Sequence, residues 1–241
     1  MFDRIKKAFG KEARPADESE GQSSRHSPGS LPEWAATHGF AFSVDGSGHG
    51  IALDGKVGSK PWRLQLGRAT RDYIRGEEVR ARAELGLLDD VAVVVMSRPL
   101  KEALEKKAYQ IYTDDLQTSL DSSMPEEMRW LAIFEEVGWN ELPPDFWARY
   151  CVLSDRRENA LAWVDLSLAR LMVDWPAGTS AEVPFMILLL RGKAYLRMEY
   201  TPADLATLQH AALVFTTACE AGLGAFDAKK QAREARPLNR E

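Results

Sequence analysis

Val91-Ala92-Val93-Val94-Val95-Met96 is the stretch whose reading decides the fold. A continuous apolar run rich in β-branched residues predicts a central strand covered on both faces. Upstream of it the pattern alternates, as half-buried strands do. Phe40, Phe42 and Val44 alternate with small or polar residues, followed by Ile51 and Leu53, then by Trp62, Leu64 and Leu66. Arg80, Arg82 and Glu84 interleave with Val79, Ala81, Ala83 and Leu85, which predicts a strand with one wet face. Asp45-Gly46-Ser47-Gly48 predicts a turn, and Asp54-Gly55 predicts a hairpin.

Downstream the period changes to that of helices. Ser97 is placed to cap a helix carrying Leu100, Ala103, Leu104, Lys107 and Ile111. Ser123-Met124-Pro125-Glu126 reads as a capping box before Met128, Leu131, Ala132, Phe134 and Val137. Residues 138–144, with Pro143-Pro144, read as a loop, and residues 146–153 as a strand. A second capping box, Asp155-Arg156-Arg157-Glu158, opens a helix through Leu161, Val164, Leu168, Leu171 and Met172. Residues 185–190 and 194–200 read as strands joined tightly at Arg191-Gly192-Lys193. Thr201-Pro202 then opens a last helix with Leu205, Leu208, Ala212, Phe215 and Cys219 on one face. Segregated strands and helices predict an α+β fold, an antiparallel sheet or sheets with helices packed on one side. A subdivision near residues 120–145 would give two similar sheet–helix units, and a single shared sheet is equally compatible.

Residues 146–222 carry a resemblance. Arg149-Tyr150-Cys151-Val152-Leu153-Ser154-Asp155, the helix with Ala160 and Leu168, and Gly192-Lys193-Ala194-Tyr195-Leu196 together resemble a group of uncharacterised bacterial domain-of-unknown-function proteins, some membrane-associated. The resemblance implies an α+β arrangement and a bacterial source, and it brings no activity or functional residue with it.

The ends differ from the middle. Residues 1–11 place Met1, Phe2, Ile5 and Phe9 at helical spacing, with Arg4, Lys6, Lys7 and Lys11 around them. Residues 12–33 are rich in Ser, Gly, Pro and acids and read as a flexible linker, 34–225 as the α+β domain, and 226–241 as a polar tail. Two Phe and an Ile would each gain roughly 1.5–3 kcal/mol if fully buried against an outside surface. Each basic residue adds about 1 kcal/mol near anionic lipid, and ordering costs about 1–2 kcal/mol per residue. The balance predicts weak, reversible attachment of Phe2, Ile5 and Phe9, with Arg4, Lys6, Lys7 and Lys11 as electrostatic partners, to an anionic membrane surface or a partner protein.

The 241 residues are 45% hydrophobic and carry a net charge of −5, which argues against a general nucleic-acid binder. No apolar run approaches the roughly 20 residues of a membrane span, and the amino terminus lacks a secretory core, so a cytoplasmic protein is expected, peripheral at most to the inner membrane face. Cys151 and Cys219, far apart in apolar contexts, are expected as buried free thiols.

Gly46-Ser47-Gly48-His49-Gly50 is followed by a strand rather than a helix, so it reads as a turn and not as a phosphate cradle. The four histidines have no ligand spacing, and no catalytic, metal or cofactor residue is assigned. Asp114, Asp115, Gln117 and Thr118 form the weakest polar candidate. Of the seven tryptophans, Trp139 is expected to be the exposed one. Arg63, Arg68, Arg71, Arg75, Arg80 and Arg82, balanced by Asp72, Glu77, Glu78 and Glu84, read as cross-strand pairs, with a ligand-phosphate or acidic-partner surface as the alternative. The expected function is a non-catalytic adaptor or accessory protein tethered by residues 1–11. The alternative is an enzyme of unrecognised class whose site is assembled only on folding, which a concave pocket of convergent polar groups would favour. Self-association through residues 205–219 is a third reading.

Overall fold

A computed structural model of the chain describes residues 30–44, 50–114 and 126–234. The run at 91–96 forms β5 (Ala92–Ser97), buried along its whole length. It lies between β7 (Tyr150–Ser154) and β8 (Phe185–Leu190) and is antiparallel to both. The other strands are β1 (Ala41–Val44), β2 (Ile51–Val57), β3 (Lys60–Arg68), β4 (Glu77–Glu84), β6 (Glu135–Val137) and β9 (Lys193–Glu199). All nine strands of the described residues join one antiparallel sheet in the order β1-β2-β3-β4-β9-β8-β5-β7-β6. Strands from either side of residues 120–145 therefore share a single sheet.

The helices are α1 (Ser30–Thr37), α2 (Arg98–Asp114), α3 (Glu126–Ile133), α4 (Pro144–Arg149), α5 (Arg157–Trp163), α6 (Leu166–Val173) and α7 (Leu205–Glu234). The fold is α+β. Val93 and Val95 share one face of the sheet with Leu64, Val79, Ile187 and Leu196, and α1, α4, α5, α6 and α7 cover that face. Val94 and Met96 face the other way, with Cys151, Leu153, Met186 and Leu188, beneath Leu100, Leu104 and Met128 of α2 and α3. Among the described residues the helices thus lie on both sides, five against two, and the reason is local. β5, β7 and β8 are apolar on both faces and need a second cover. β2, β3, β4 and β9 are polar on that second face, so the sheet stays open there.

Several local expectations are revised. Asp54-Gly55 is not a hairpin but the middle of β2, and the turn falls at Gly58-Ser59, where Val57 opposes Lys60. Gly55 is needed for close approach. A Cβ there would sit 2.5 Å from the Trp62 ring. By contrast, Arg191-Gly192 forms the tight hairpin expected, with φ of 51° and 74°, the left-handed pair of a type I′ turn.

The helix begun at Glu126 ends at Ile133, and residues 135–137 pair with β7 instead. Residues 146–149 are helical, because Pro143-Pro144 starts α4 with Pro at its first turn. The long helix expected over residues 155–172 is broken. The Asp165 carboxylate accepts the Leu168 amide at 2.8 Å and caps a new helix, α6, worth about 1 kcal/mol. Thr201-Pro202 precedes the last helix, which is capped by Asp204 through the Thr207 amide at 2.7 Å. The folded part also extends beyond 34–225. Leu31 is buried, and α7 continues the apolar face of Phe215 and Cys219 to fully buried Phe226.

Trp139 is buried, not exposed, and meets the Trp147 ring edge-on at 5.1 Å. Cys151 and Cys219 are buried free thiols. Burial pushes the Cys151 pKa up to about 12, so it is no nucleophile near neutral pH. Among the described residues no helix is long and apolar enough to cross a membrane.

His210 on α7 is half-buried. Its Nε2 donates to the Leu171 carbonyl at 2.8 Å, and its ring lies 4.5 Å from that of Trp175. Burial lowers its pKa, with the Leu171 carbonyl and Asp174 partly opposing. The unfolded chain therefore takes up this proton first. Stability from the neutral ring is full above the ordinary value of about 6.5 and is lost as pH falls toward the lower folded-state value. Urea midpoints at pH 7.5 and pH 5.5 are expected to differ less in His210→Gln than in the parent chain. An unchanged difference would mean that the imidazole titrates as it does in solvent.

Candidate functional site

The open face of the sheet forms a cleft of about 690 Å³. Its floor is the outward-facing side of β3, β4, β9 and β8. One wall is α3, which contributes Glu126, Glu127 and Trp130, and Arg71 from the connection between β3 and β4 closes an end. A second depression of about 380 Å³ continues it toward β1 and β2 and shares Arg63, Gln65 and Arg80.

Period-2 alternation delivers the floor residues. In β4, Val79, Ala81 and Ala83 are buried against the five-helix layer, so Glu78, Arg80, Arg82 and Glu84 must face the other way. Antiparallel register then sets their neighbours. Arg63 lies opposite Arg82, and Arg80 lies between Gln65 and Arg197. Arg82 also faces Tyr195, with its guanidinium carbon 5.9 Å from the ring centroid. Beyond β9 the same face becomes apolar with Met186, Leu188 and Leu190 of β8.

Two acids anchor this floor to what lies above it. Glu78 is fully buried and accepts the Thr70 amide at 2.7 Å and the Thr70 hydroxyl at 2.9 Å through Oε2. Arg197 Nη1 lies 2.7 Å from Glu78 Oε1, a close ionic contact at an angle unsuited to a hydrogen bond, and donates to Thr70 Oγ1 at 2.8 Å. Glu127 is buried on α3 and receives Arg71 Nε at 2.6 Å and the Tyr73 hydroxyl at 3.1 Å. Burial, reinforced by the Glu127 carboxylate, drives the Tyr73 pKa far above its ordinary value, so the phenol stays a donor. The second Glu127 oxygen is buried without a hydrogen-bond partner.

Most of the arginines are engaged. Arg63 meets Asp54 at 3.4 Å, Arg82 meets Glu84, and Arg191 is 4.0 Å from Glu126. Arg80 is the exception. Its Nε is buried without a partner, and it forms no ion pair among the described residues. Six arginines line the cleft against four acids, so the surplus of positive charge centres on Arg80. The expected cross-strand pairing therefore holds only in part. Arg63–Asp54 and Arg197–Glu78 cross strands, whereas Arg63–Arg82 and Arg80–Arg197 set like charges opposite each other, which costs up to about 1 kcal/mol per pair in such positions.

The amino-terminal candidates Phe2, Arg4, Ile5, Lys6, Lys7, Phe9 and Lys11 lie outside the described residues, as do residues 115–120 of the polar stretch after α2. Of the six arginines singled out in sequence, Arg63, Arg71, Arg80 and Arg82 line the cleft, Arg68 lines its extension, and Arg75 lines neither. Arg197 and Tyr195 were missed as cleft residues, while Trp130 and Glu127 carry the bland expectations of core filling and helix capping and nonetheless line it. They lie 64 to 134 residues from Arg63 in the chain; Tyr195 and Arg197 reach it through the sheet order and Glu127 and Trp130 through the packing of α3, although the alternation Tyr195, Arg197, Glu199 was a readable sign of a second wet strand face. No serine, threonine, cysteine, histidine or lysine lines the cleft, and no three His, Cys, Asp or Glu side chains converge for a metal among the described residues. No family model matches the chain, and no curated protein or solved structure matches it.

Proposed function

We propose that this protein is a non-catalytic adaptor or accessory module that holds an acidic group of its partner or ligand in the arginine cleft. Residues 1–11 supply a weak tether to an anionic membrane surface or to a partner protein. The observation that carries the cleft's part is Arg80, a cation with a buried, unpartnered N–H set opposite Arg197 and beside Arg82. An unsatisfied buried donor is costly, and like charges held opposite one another add to that cost. An incoming phosphate or carboxylate relieves both.

The cleft is concave and polar, which a substrate site also requires. Its lining offers six arginines, and the carboxylates Asp54, Glu84, Glu126 and Glu127 are each held by one of them, which supports holding an acidic ligand. Two measurements test the reading. Inorganic phosphate is expected to raise the melting temperature of the parent chain, with at least a fivefold weaker dependence in Arg80→Gln. Co-sedimentation with anionic vesicles is expected to fall in a Phe2→Glu, Phe9→Glu chain whose melting temperature is unchanged. Equal phosphate responses in parent and Arg80→Gln would remove the cleft from the function, and equal sedimentation would remove the tether.

A further inference from the structure

The cleft is not uniformly polar, and its two halves differ in an ordered way. Across the floor from β3 to β8, one row of register partners reads Gln65, Arg80, Arg197, Met186. The next row reads Arg63, Arg82, Tyr195, Leu188. Cations occupy β3 and β4 and reach β9 at Arg197, Tyr195 stands between in the second row, and the β8 side is aliphatic. Above the aliphatic side stands the half-buried Trp130 of α3, packed on the same small core as Met186 and Leu188. A free inorganic anion would use only the first half of this surface. A wholly apolar ligand would leave Arg80 unsatisfied.

We propose that the cleft binds an amphiphilic anion, one phosphate or carboxylate head joined to an alkyl or aromatic body. This rests on the cleft being the ligand site proposed above. The head lies at Arg80, flanked by Arg63, Arg82 and Arg197, whose planar donors match a two-oxygen acceptor. The body runs over Tyr195 toward half-buried Leu190 and against Trp130. A volume of about 690 Å³ is within the range that encloses such a molecule. The same head group occurs on free metabolites and on anionic lipids, and the chemistry of recognition is shared.

The test compares ethyl phosphate with octyl phosphate below its micellar concentration, by calorimetric titration of the full chain. Octyl phosphate is expected to bind at least tenfold more tightly than ethyl phosphate. Arg80→Gln is expected to weaken both, and Trp130→Ala to cut the octyl advantage at least fivefold while leaving ethyl phosphate unchanged. Equal affinities for the two phosphates would overturn the amphiphile and leave the anion cleft standing. No binding of either would overturn both. Octyl binding that survives Arg80→Gln would place the alkyl chain at some other apolar surface and also overturn the proposal. Vesicles containing phosphatidic acid separate the two sources. Sedimentation that drops in Arg80→Gln assigns a lipid-borne head, and sedimentation indifferent to Arg80, beside tight octyl phosphate binding, assigns a free ligand.

Discussion

Trp163→Ala is expected to lower the unfolding free energy by about 4 kcal/mol, the range found for removing a fully buried large aromatic. Trp163 is completely buried at the end of α5. Its indole N–H donates to the Ala218 carbonyl of α7 at 2.9 Å, so the one residue both fills the five-helix layer and ties α5 to α7. The cavity dominates the loss, because the Ala218 carbonyl sits within α7, where a helical amide already serves it. Urea denaturation provides the measurement, with the midpoint falling while the slope against denaturant stays constant. Trp163→Phe should recover a large part of the loss by refilling volume. A loss below 1 kcal/mol for the alanine variant would show that this layer rearranges to close the gap.

Arg197→Met is expected to cost about 3 kcal/mol and to weaken phosphate binding in the same variant. Glu78 is fully buried beneath the connection between β3 and β4, and Arg197 is its only cationic partner among the described residues. Removing one member of a buried pair leaves an uncompensated charge, at 3–5 kcal/mol. The lower end applies because both Thr70 bonds to Glu78 remain. Adding Glu78→Leu to Arg197→Met should return most of the stability, since the stranded charge is then gone, but should not return phosphate binding. That split matters. If the double variant regains both, Arg197 acts on the cleft only by holding the fold. If it regains neither, the Thr70 bonds to Glu78 outweigh the pair itself.

The class of the fold was legible because it depends on short-range periods. The valine run needs two covers, the alternation at 62–66 and 79–85 needs one, and both statements follow from which side chains must leave water. What failed was local competition. Asp54-Gly55 carries the composition of a turn, yet Gly55 is fixed by the Trp62 ring lying across it, a contact that is not visible in the dipeptide. The break in the helix at Asp165 is marked by a capping residue, but that residue sits inside an apolar period that continues unbroken on both sides of it. The cleft was half legible. Arg63, Arg80 and Arg82 group together in the sequence because β3 and β4 are consecutive strands. Arg197 joins them only because β9 inserts beside β4, and pairing across more than a hundred residues leaves no mark on either strand alone.

The sheet order has a consequence for biosynthesis. β5 is made early, yet its two neighbours, β7 and β8, come from residues 150–190. At about 5–20 residues per second, the ribosome needs several seconds beyond Met96 before either flank can close on it. Throughout that interval the nascent polypeptide carries its greasiest segment with both edges bare, the condition under which unpaired strands recruit one another. Slow codons or chaperone engagement between residues 97 and 190 would therefore govern the yield of folded protein more strongly than changes in the first four strands, which can zip together as they emerge.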